Sequence, residues 1–507
     1  MNTHILDVVI ANDVNNVKVH VVENVTSSTH KALEVSVPLN IAVREEKSTR
    51  TAYNFKKTDW DHVFRLLSCM MWGDWSAFST TDDAYEHFYD VIHAVIKESI
   101  PTFKTGNNKF PFWYDKELRD HIKLKERCHR SYKRTGRDKE SESYKLFSKL
   151  RKTTKAMLKN CYNNYIVKVE ADMRKNTKRF WSHVKSKKAS GSIPKSMKYK
   201  NSVCNTTSSI IKAFTLFFKS VFIVYDTSYK PECFTVNCPI FKVPLITPSD
   251  VKNILCSLEP STSTGSDNIP VIFYIKCANY LCKPIADLFN LSLCKGEYPT
   301  MLKKDNVMPI YKRKGSKNDV ECYRPISIQP ILAKIFEGFV SRELHRHIDG
   351  LIIQNQHGFL PMKSCATNLL SYTDFITKTF DKKNQTHSIY TDFRKAFDLV
   401  PHHLLLHKLN AQFGIEGVMY NWFSSYLSDR QQRVVLNGEQ SDWYFATSGV
   451  PQGSILGPTL FIVYINDVLT SIRYSELLLF ADDAKLFKEI RTFDDCLMLQ
   501  ENVNRFH

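Results

Sequence analysis

The chain has 507 residues, 43% of them apolar, enough for two to four domains with sizeable buried cores. No apolar run approaches the ~18 residues of a membrane-spanning helix, and no signal-peptide pattern opens the sequence, so no membrane partner is expected. The formal charge is +18, and an excess of that same size lies between Asp115 and Lys200, where 27 Lys and Arg stand against 9 Asp and Glu. Basicity concentrated in this way favours contact with a nucleic-acid backbone, the plain alternative being a solvated helical surface. The 13 cysteines are scattered without C-x₂-C or Cys/His ligand spacing. That usage predicts reduced, mostly buried thiols in an intracellular protein.

In chain order, Thr3–Ile10, Val17–Val22 and Ala32–Leu39 alternate apolar and polar residues and read as short strands. Apolar residues between Asp83 and Ile96 recur at three- and four-residue steps, which predicts a helix with one packing face, ended by Ile100-Pro101. From Ser141 to about Lys188, Phe147, Leu150, Met157, Cys161, Tyr165, Val169 and Met173 mark the apolar stripe of one or two long basic helices ending before Gly191. Tyr132, Tyr144 and Tyr162 interleave with the cations there, a pattern suited to single-stranded nucleic acid. Residues 201–246 give no clear pattern. Thr247 followed by Pro248 marks a helix start, with Thr247 as N-cap. In the loop Ser261–Pro270, Asn268 is placed to take a positive φ.

The stretch Leu477-Leu-Leu-Phe-Ala-Asp-Asp-Ala-Lys-Leu486 reads as a strand–turn–strand hairpin with Asp482 and Asp483 at its tip. An Asp pair ordinarily only shapes a turn. A third acid, Asp392, ends another apolar stretch, His387-Ser-Ile-Tyr-Thr-Asp392. Carboxylates from two such strands, set side by side, can hold two Mg²⁺ ions about 3.5–4 Å apart and so serve nucleotidyl transfer. Between these stretches, Gly449, Gly453 and Gly457 punctuate the chain, and no Gly-Lys-Ser/Thr follows, so a P-loop ATPase is excluded.

In this order the stretches resemble motifs of the reverse transcriptases. Asp392-Phe-Arg-Lys-Ala-Phe-Asp398 is similar to motif A, Gly449-Val-Pro-Gln-Gly-Ser-Ile-Leu-Gly-Pro458 to motif B, and Phe480-Ala-Asp-Asp483 to motif C. The resemblance is to the non-LTR (LINE-type, jockey-like) retrotransposon enzymes rather than the retroviral ones, and it covers nearly the whole chain. Asn306–Gly315 and Glu321–Ile328 look like motifs 1 and 2, and Gln356–Ser364 like the template-side segment, where Gly358 allows a close backbone approach. Ser261–Pro270 looks like the family's Gly-Pro-Asp-Gly-Ile-Pro loop, with Ser266 and Asn268 replacing a Pro and a Gly. Ser27-Ser-Thr-His30 resembles the close of the family's apurinic-type endonuclease. His30 matches its histidine, but Thr29 stands where an orienting Asp is expected and the rest of that metal site would precede Met1, which implies an inactive remnant.

The resemblance implies an α+β, right-hand polymerase fold: fingers, an antiparallel palm sheet with packed helices, no thumb, and a basic helical linker before them. Its divisions would be an endonuclease-type remnant over 1–45, the linker over 46–200, fingers over 201–385 and an incomplete palm over 386–507. It implies an RNA-directed DNA polymerase that adds dNTP to a DNA primer on template RNA, with Mg²⁺ or Mn²⁺ as cofactor. Such an enzyme acts in nucleus and cytoplasm as a ribonucleoprotein. The implied catalytic acids are Asp392, Asp482 and Asp483, with Asp392, Asp482 and the backbone carbonyl of Phe393 as metal ligands. Lys312 and Arg324 would grip the triphosphate, Arg324 bidentately. Phe397 would lie under the sugar and exclude a ribose 2′-hydroxyl, Gln452 would hydrogen-bond near the nucleotide, and Gly453 would leave room for the base pair. Asp398 is assigned a structural role in a helix expected to follow Asp392. Beyond Phe487 the sequence reads as the start of one helix, and the family's motif D, primer grip and thumb do not follow. The alternative expectation is therefore a catalytically inactive nucleic-acid-binding remnant, truncated at both ends.

Overall fold

The computed structural model describes residues 18–22, 32–36, 50–105, 110–134, 136, 138–173, 180–181, 183–184, 193–223, 225 and 239–506. His30 and the expected strand Thr3–Ile10 lie outside them. Two compact units are formed, Met1–Ala52 with Thr102–Lys109, and Tyr53–Pro101 with Phe110–His507. In the first, β1 (Lys18–Val22) pairs antiparallel with β2 (Ala32–Ser36), as the alternation predicts, and β3 (Arg50–Tyr53) pairs with β4 (Thr102–Thr105).

The second unit opens with α1 (Trp60–Cys69) and α2 (Thr81–Ser99). A reciprocal cap between Thr80 and Asp83 starts α2, which buries Tyr85, Phe88, Tyr89, Ile92 and Val95 on the expected face. The basic region is a helical hairpin of α3 (Lys116–Arg134) and α4 (Glu142–Asp172), with Ser141 as the N-cap of α4. Here the sequence reading is corrected. Tyr132 packs on Tyr144 at 5.0 Å between ring centroids, and Tyr162 on Trp113 at 5.1 Å, so these rings join the hairpin rather than standing ready for bases. The cations remain outside; Arg119, Lys123, Arg130, Lys149, Arg151 and Lys152 are all exposed.

Next come β5 (Met197–Tyr199), β6 (Ser202–Cys204), α5 (Thr207–Lys219), α6 (Pro248–Ser257), α7 (Val271–Lys276) and α8 (Ala278–Lys295). Thr247 caps α6 with Pro248 in its first turn, as read from the sequence. The chain continues through β7 (Lys304–Tyr311), β8 (Tyr323–Ile328), α9 (Ile331–Ile348), α10 (Cys365–Asp381), β9 (Gln385–Asp392), α11 (His402–Phe413) and α12 (Gly417–Leu427). It ends with β10 (Gln431–Leu436), β11 (Glu439–Gln440), β12 (Tyr444–Phe445), α13 (Leu456–Ile465), β13 (Glu476–Phe480), β14 (Asp483–Ile490) and α14 (Phe493–Phe506).

Two sheets organise this unit. One runs β11-β10-β7-β8 with β12 on β10; β7 is parallel to β10 and antiparallel to β8. The other is the antiparallel set β13-β14-β9. Ile389 of β9 and Leu477, Leu479, Ala484 and Leu486 of β13 and β14 join α8, α9, α11, α12 and α13 in one large core. A second core gathers Phe214, Phe217 and Phe218 of α5 with Val307, Tyr323, Val434 and Tyr444 of the first sheet. No described helix is long and apolar enough to cross a membrane. The expectation of mostly buried thiols is corrected: Cys277 is buried, but Cys69, Cys256, Cys294 and Cys365 are exposed.

In the loop before α7, Asn268 takes φ +59°, as expected, and next to it the Asp267 side chain turns inward. Burial pushes its carboxyl up to about 7, against the pull of backbone N–H groups led by Ile269, and Oδ2 finds no partner. A folded-state value above the unfolded one means that the native chain loses stability as pH rises from about 4 to about 7. Asp267→Asn, which keeps an acceptor for Ile269, is expected to match the parent near pH 4 and to exceed it at pH 8 by up to about 4 kcal/mol. Urea unfolding at the two pH values checks this.

Candidate active site

The acids meet because β14 lies between β13 and β9. Asp392, at the end of β9, is the register partner of Asp483, the first residue of β14, and Asp483 pairs in turn with Phe480. The turn Ala481-Asp482 is tight, with Ala481 at φ +55°, and the Asp482 carbonyl accepts the Phe393 N–H at 3.3 Å. Asp392 and Asp483 are exposed and Asp482 is half-buried. Burial raises the Asp482 carboxyl above the usual carboxylate range, the charges of Asp483 and Asp392 raise it further, and Arg324 pulls it down. Asp392, Asp482, Asp483 and Arg324 therefore share one electrostatic neighbourhood.

The hairpin is clamped from the side by residues 355–358. The backbone N–H of Leu479 donates to the Asn355 carbonyl, and that of His357 to the Leu479 carbonyl, both at 2.9 Å. The buried Gln356 Oε1 accepts from Gly358 N at 2.7 Å and from Ala481 N at 2.9 Å. A Cβ on Gly358 would stand 2.3 Å from Ala481 N, so the expected close approach at this glycine is made against the acidic turn. Gly358→Ala must shift one backbone or the other and is expected to cost about 1–3 kcal/mol, read by urea unfolding.

The glycine-punctuated loop is tied on both sides. Val450 N donates to Phe397 O at 2.7 Å, Gly449 N to Val400 O at 2.8 Å, and Ser327 N of β8 to Gln452 O at 2.8 Å. Gly449 and Gly453 sit at φ +84° and +113°, where added Cβ atoms would meet Phe397 O at 2.6 Å and Ser327 O at 2.8 Å. Asp398 is corrected: it lies in a turn before α11, not in a helix, and its Oδ1 accepts the Gln452 Nε2–H at 3.1 Å. Burial pushes its carboxyl up to about 6, with Lys395, Gln452 and Lys312 pulling it back. A small cavity between Pro325, Ser327, Asp398, Ser448, Gly449 and Gln452 follows.

Arg324 is exposed on β8, opposite Ile310 of β7. Lys312, exposed at the end of β7, donates to the Glu321 carbonyl at 3.1 Å. Phe397 stacks on Phe461 of α13 at 4.7 Å between centroids. Sequence reasoning missed Glu337 on α9, fully buried. It accepts from Gln329 Nε2 (2.7 Å), Tyr426 Oη (3.0 Å), Ile455 N (2.7 Å) and Leu456 N (3.2 Å), and so caps α13. An acid inside the apolar run Lys334-Ile-Phe-Glu-Gly-Phe-Val340 was the available signal. Among the described residues no three His, Cys, Asp or Glu side chains converge as a ready-made metal cluster. The oxygen donors present nonetheless suit a hard divalent cation, which would relieve the repulsion among the three acids.

Residues 312–503 match the family model described as reverse transcriptase (RNA-dependent DNA polymerase), and the chain carries a reverse transcriptase domain. The curated proteins it resembles are polymerases of mobile elements. The chain is 25% identical over 370 residues to the RNA-directed DNA polymerase from mobile element jockey of Drosophila melanogaster, covering 70% of this chain and 40% of that protein. It is 24% identical over 448 residues to its counterpart in Drosophila funebris, covering 84% and 48%. A probable RNA-directed DNA polymerase from transposon BS of Drosophila melanogaster matches at 29% over 211 residues, covering 40% and 23%. The chain thus spans less than half the length of these curated relatives. Among solved structures, apo telomerase from Candida tropicalis truncated from its C-terminal domain aligns at TM-score 0.31 and 12% identity, over 40% of this chain and 46% of that one.

Proposed function

We propose that the chain is the fingers and palm of an RNA-directed DNA polymerase of a non-LTR retrotransposon, which adds dNTP to a DNA 3′-hydroxyl on an RNA template. One observation carries the reading. Acids from stretches 91 residues apart in sequence, Asp392 and Asp483, are paired across adjacent strands, with Asp482 beside them and Arg324 within electrostatic reach. The sheet of β9, β13 and β14 serves as palm, and the sheet of β7, β8 and β10 as fingers.

Asp392 and Asp482, with the Phe393 carbonyl, hold divalent cations. When bound, Mg²⁺ supplies activation of the 3′-hydroxyl and charge neutralisation at the leaving pyrophosphate. Arg324 receives the triphosphate through its planar guanidinium and Lys312 through a point charge. Phe397, backed by Phe461, sets the floor for a sugar without a 2′-hydroxyl. Gln452, oriented by Asp398, presents its remaining amide atoms toward the nucleotide, and the bare backbone of Gly453 admits the base pair. Asp483 shapes the turn and adds negative potential. The exposed cations of α3 and α4 bind nucleic-acid phosphates, with affinity that falls steeply as salt rises. The site of action is a ribonucleoprotein in cytoplasm and nucleus.

Mg²⁺-dependent extension of a DNA primer on an RNA template is the test. The expected product is primer-linked DNA templated by RNA. A folded chain that binds the primer–template yet extends it with neither Mg²⁺ nor Mn²⁺ refutes the polymerase and leaves a nucleic-acid-binding protein.

A further inference from the structure

Phe359 follows Gly358 in the clamp beside the acidic turn. It is a bulky residue at φ +56°, a left-handed conformation that glycine adopts freely and phenylalanine rarely does. Its side chain is 51% exposed, so burial offers little in return. Backbone strain of this kind persists where the surroundings fix it, and it marks functional sites more often than random loops. The surroundings here do fix it. Gly358 is pinned by Gln356 Oε1, which also holds Ala481, and it lies so close to Ala481 that an added Cβ would stand 2.3 Å from the Ala481 nitrogen. Among the described residues the one ring partner that Phe359 reaches is Phe397, edge to face, with centroids 6.2 Å apart and planes at 86°.

Phe397 is thus held from two directions, by the Phe461 ring stacked on it at 4.7 Å and by the edge-on Phe359. Without Phe461 the ring would lose its backing; without Phe359 it could swing sideways over the space that Phe359 occupies. We propose that Phe359 is a positioning residue for sugar selection: it holds the Phe397 ring in the attitude that excludes a ribose 2′-hydroxyl. This rests on the reading of Phe397 as the sugar floor. It also links the acidic turn to nucleotide choice, because the Gln356 amide that fixes Ala481 fixes the backbone carrying Phe359.

The test is single-nucleotide extension by the full chain, comparing kcat/KM for a dNTP with that for the matching rNTP. Phe359→Ala is expected to lower this discrimination about tenfold, through better use of the rNTP, with the KM for dNTP changed less than twofold. Phe359→Tyr, which keeps the ring, is expected to discriminate as the parent does. Phe359→Ala should melt within about 2 °C of the parent, because the side chain is exposed. Unchanged discrimination in an active Phe359→Ala variant overturns the inference and leaves the polymerase reading standing. A parallel fall in melting temperature and in both activities also overturns it, since the role would then be structural. If the parent neither extends a primer nor forms a dNTP-dependent complex with a dideoxy-terminated primer–template in Ca²⁺, the polymerase reading fails and this inference falls with it.

Discussion

Asp482→Ala is expected to abolish Mg²⁺-dependent primer extension, by at least about 10³-fold, while leaving the chain as stable as the parent or more so. The two halves of this expectation have one cause. Asp482 sits half-buried at a turn beside two other acids, and burial and their charges together raise its carboxyl. In the absence of a cation that arrangement opposes folding at neutral pH, so truncating the side chain removes a repulsion along with a ligand. The measurement is extension alongside thermal unfolding, with and without Mg²⁺. Mg²⁺ should raise the parent's melting temperature by mass action and leave the variant's nearly unchanged. A variant that extends at a tenth of the parent's rate or better would remove Asp482 from the metal site.

The second large effect is expected on stability, far from the reacting atoms. Asp305 of β7 and Arg430, just before β10, form a fully buried pair with Nη2 2.9 Å from Oδ2. Burial works against the Arg430 cation, but Asp305 together with Tyr426, Tyr298 and Glu337 outweighs this and keeps it protonated. Arg430→Met leaves Asp305 buried without its counter-charge and is expected to cost about 3–5 kcal/mol in urea unfolding. The loss should shrink as pH falls toward about 6, because burial already holds the paired Asp305 carboxyl up at about 6 and without Arg430 it takes up its proton at higher pH still. The double variant Arg430→Met with Asp305→Leu should recover most of the stability, because two apolar groups leave nothing unpaired. A single variant within about 1 kcal/mol of the parent would show that water reaches this pair.

What could be read from the sequence was local in origin. The acidic hairpin, the strand carrying Asp392, the capped start at Thr247 and the left-handed Asn268 each follow from a few adjacent residues with strong backbone preferences. Helix α5 was missed although Thr206 and Ser209 form a reciprocal cap and Ile210, Phe214 and Phe217 share one face, because its Ser- and Thr-rich opening resembles a loop. Helix α3 was missed for the opposite reason: Leu118 and Ile122 are its only buried apolar side chains amid many cations.

In the site, the residues that carry charge were legible and those that hold them were not. Gln356 meets Ala481, Asp398 meets Gln452, and Glu337 meets Ile455 across gaps of 54 to 125 residues. No spacing rule encodes such pairs, since each depends on how whole elements pack. The tyrosines of the basic hairpin teach the same lesson in reverse. Their spacing fits base stacking, but neighbouring rings engage them, Tyr132 and Tyr144 each other across the hairpin and Tyr162 the Trp113 ring in the turn before α3.

The placement of β14 between β13 and β9 also constrains the order of events during synthesis. Asp392 leaves the ribosome about ninety residues ahead of its partner Asp483, and β9 has nothing to pair with on that side until β14 arrives. Closing so long a segment is an entropic barrier that local contacts cannot offset early. The nascent chain therefore carries an unpaired strand while about ninety further residues are added, a state prone to joining strands from neighbouring chains. The acidic centre is among the last parts of the molecule to come into being, so slow translation or a chaperone that shields β9 should raise the yield of folded protein.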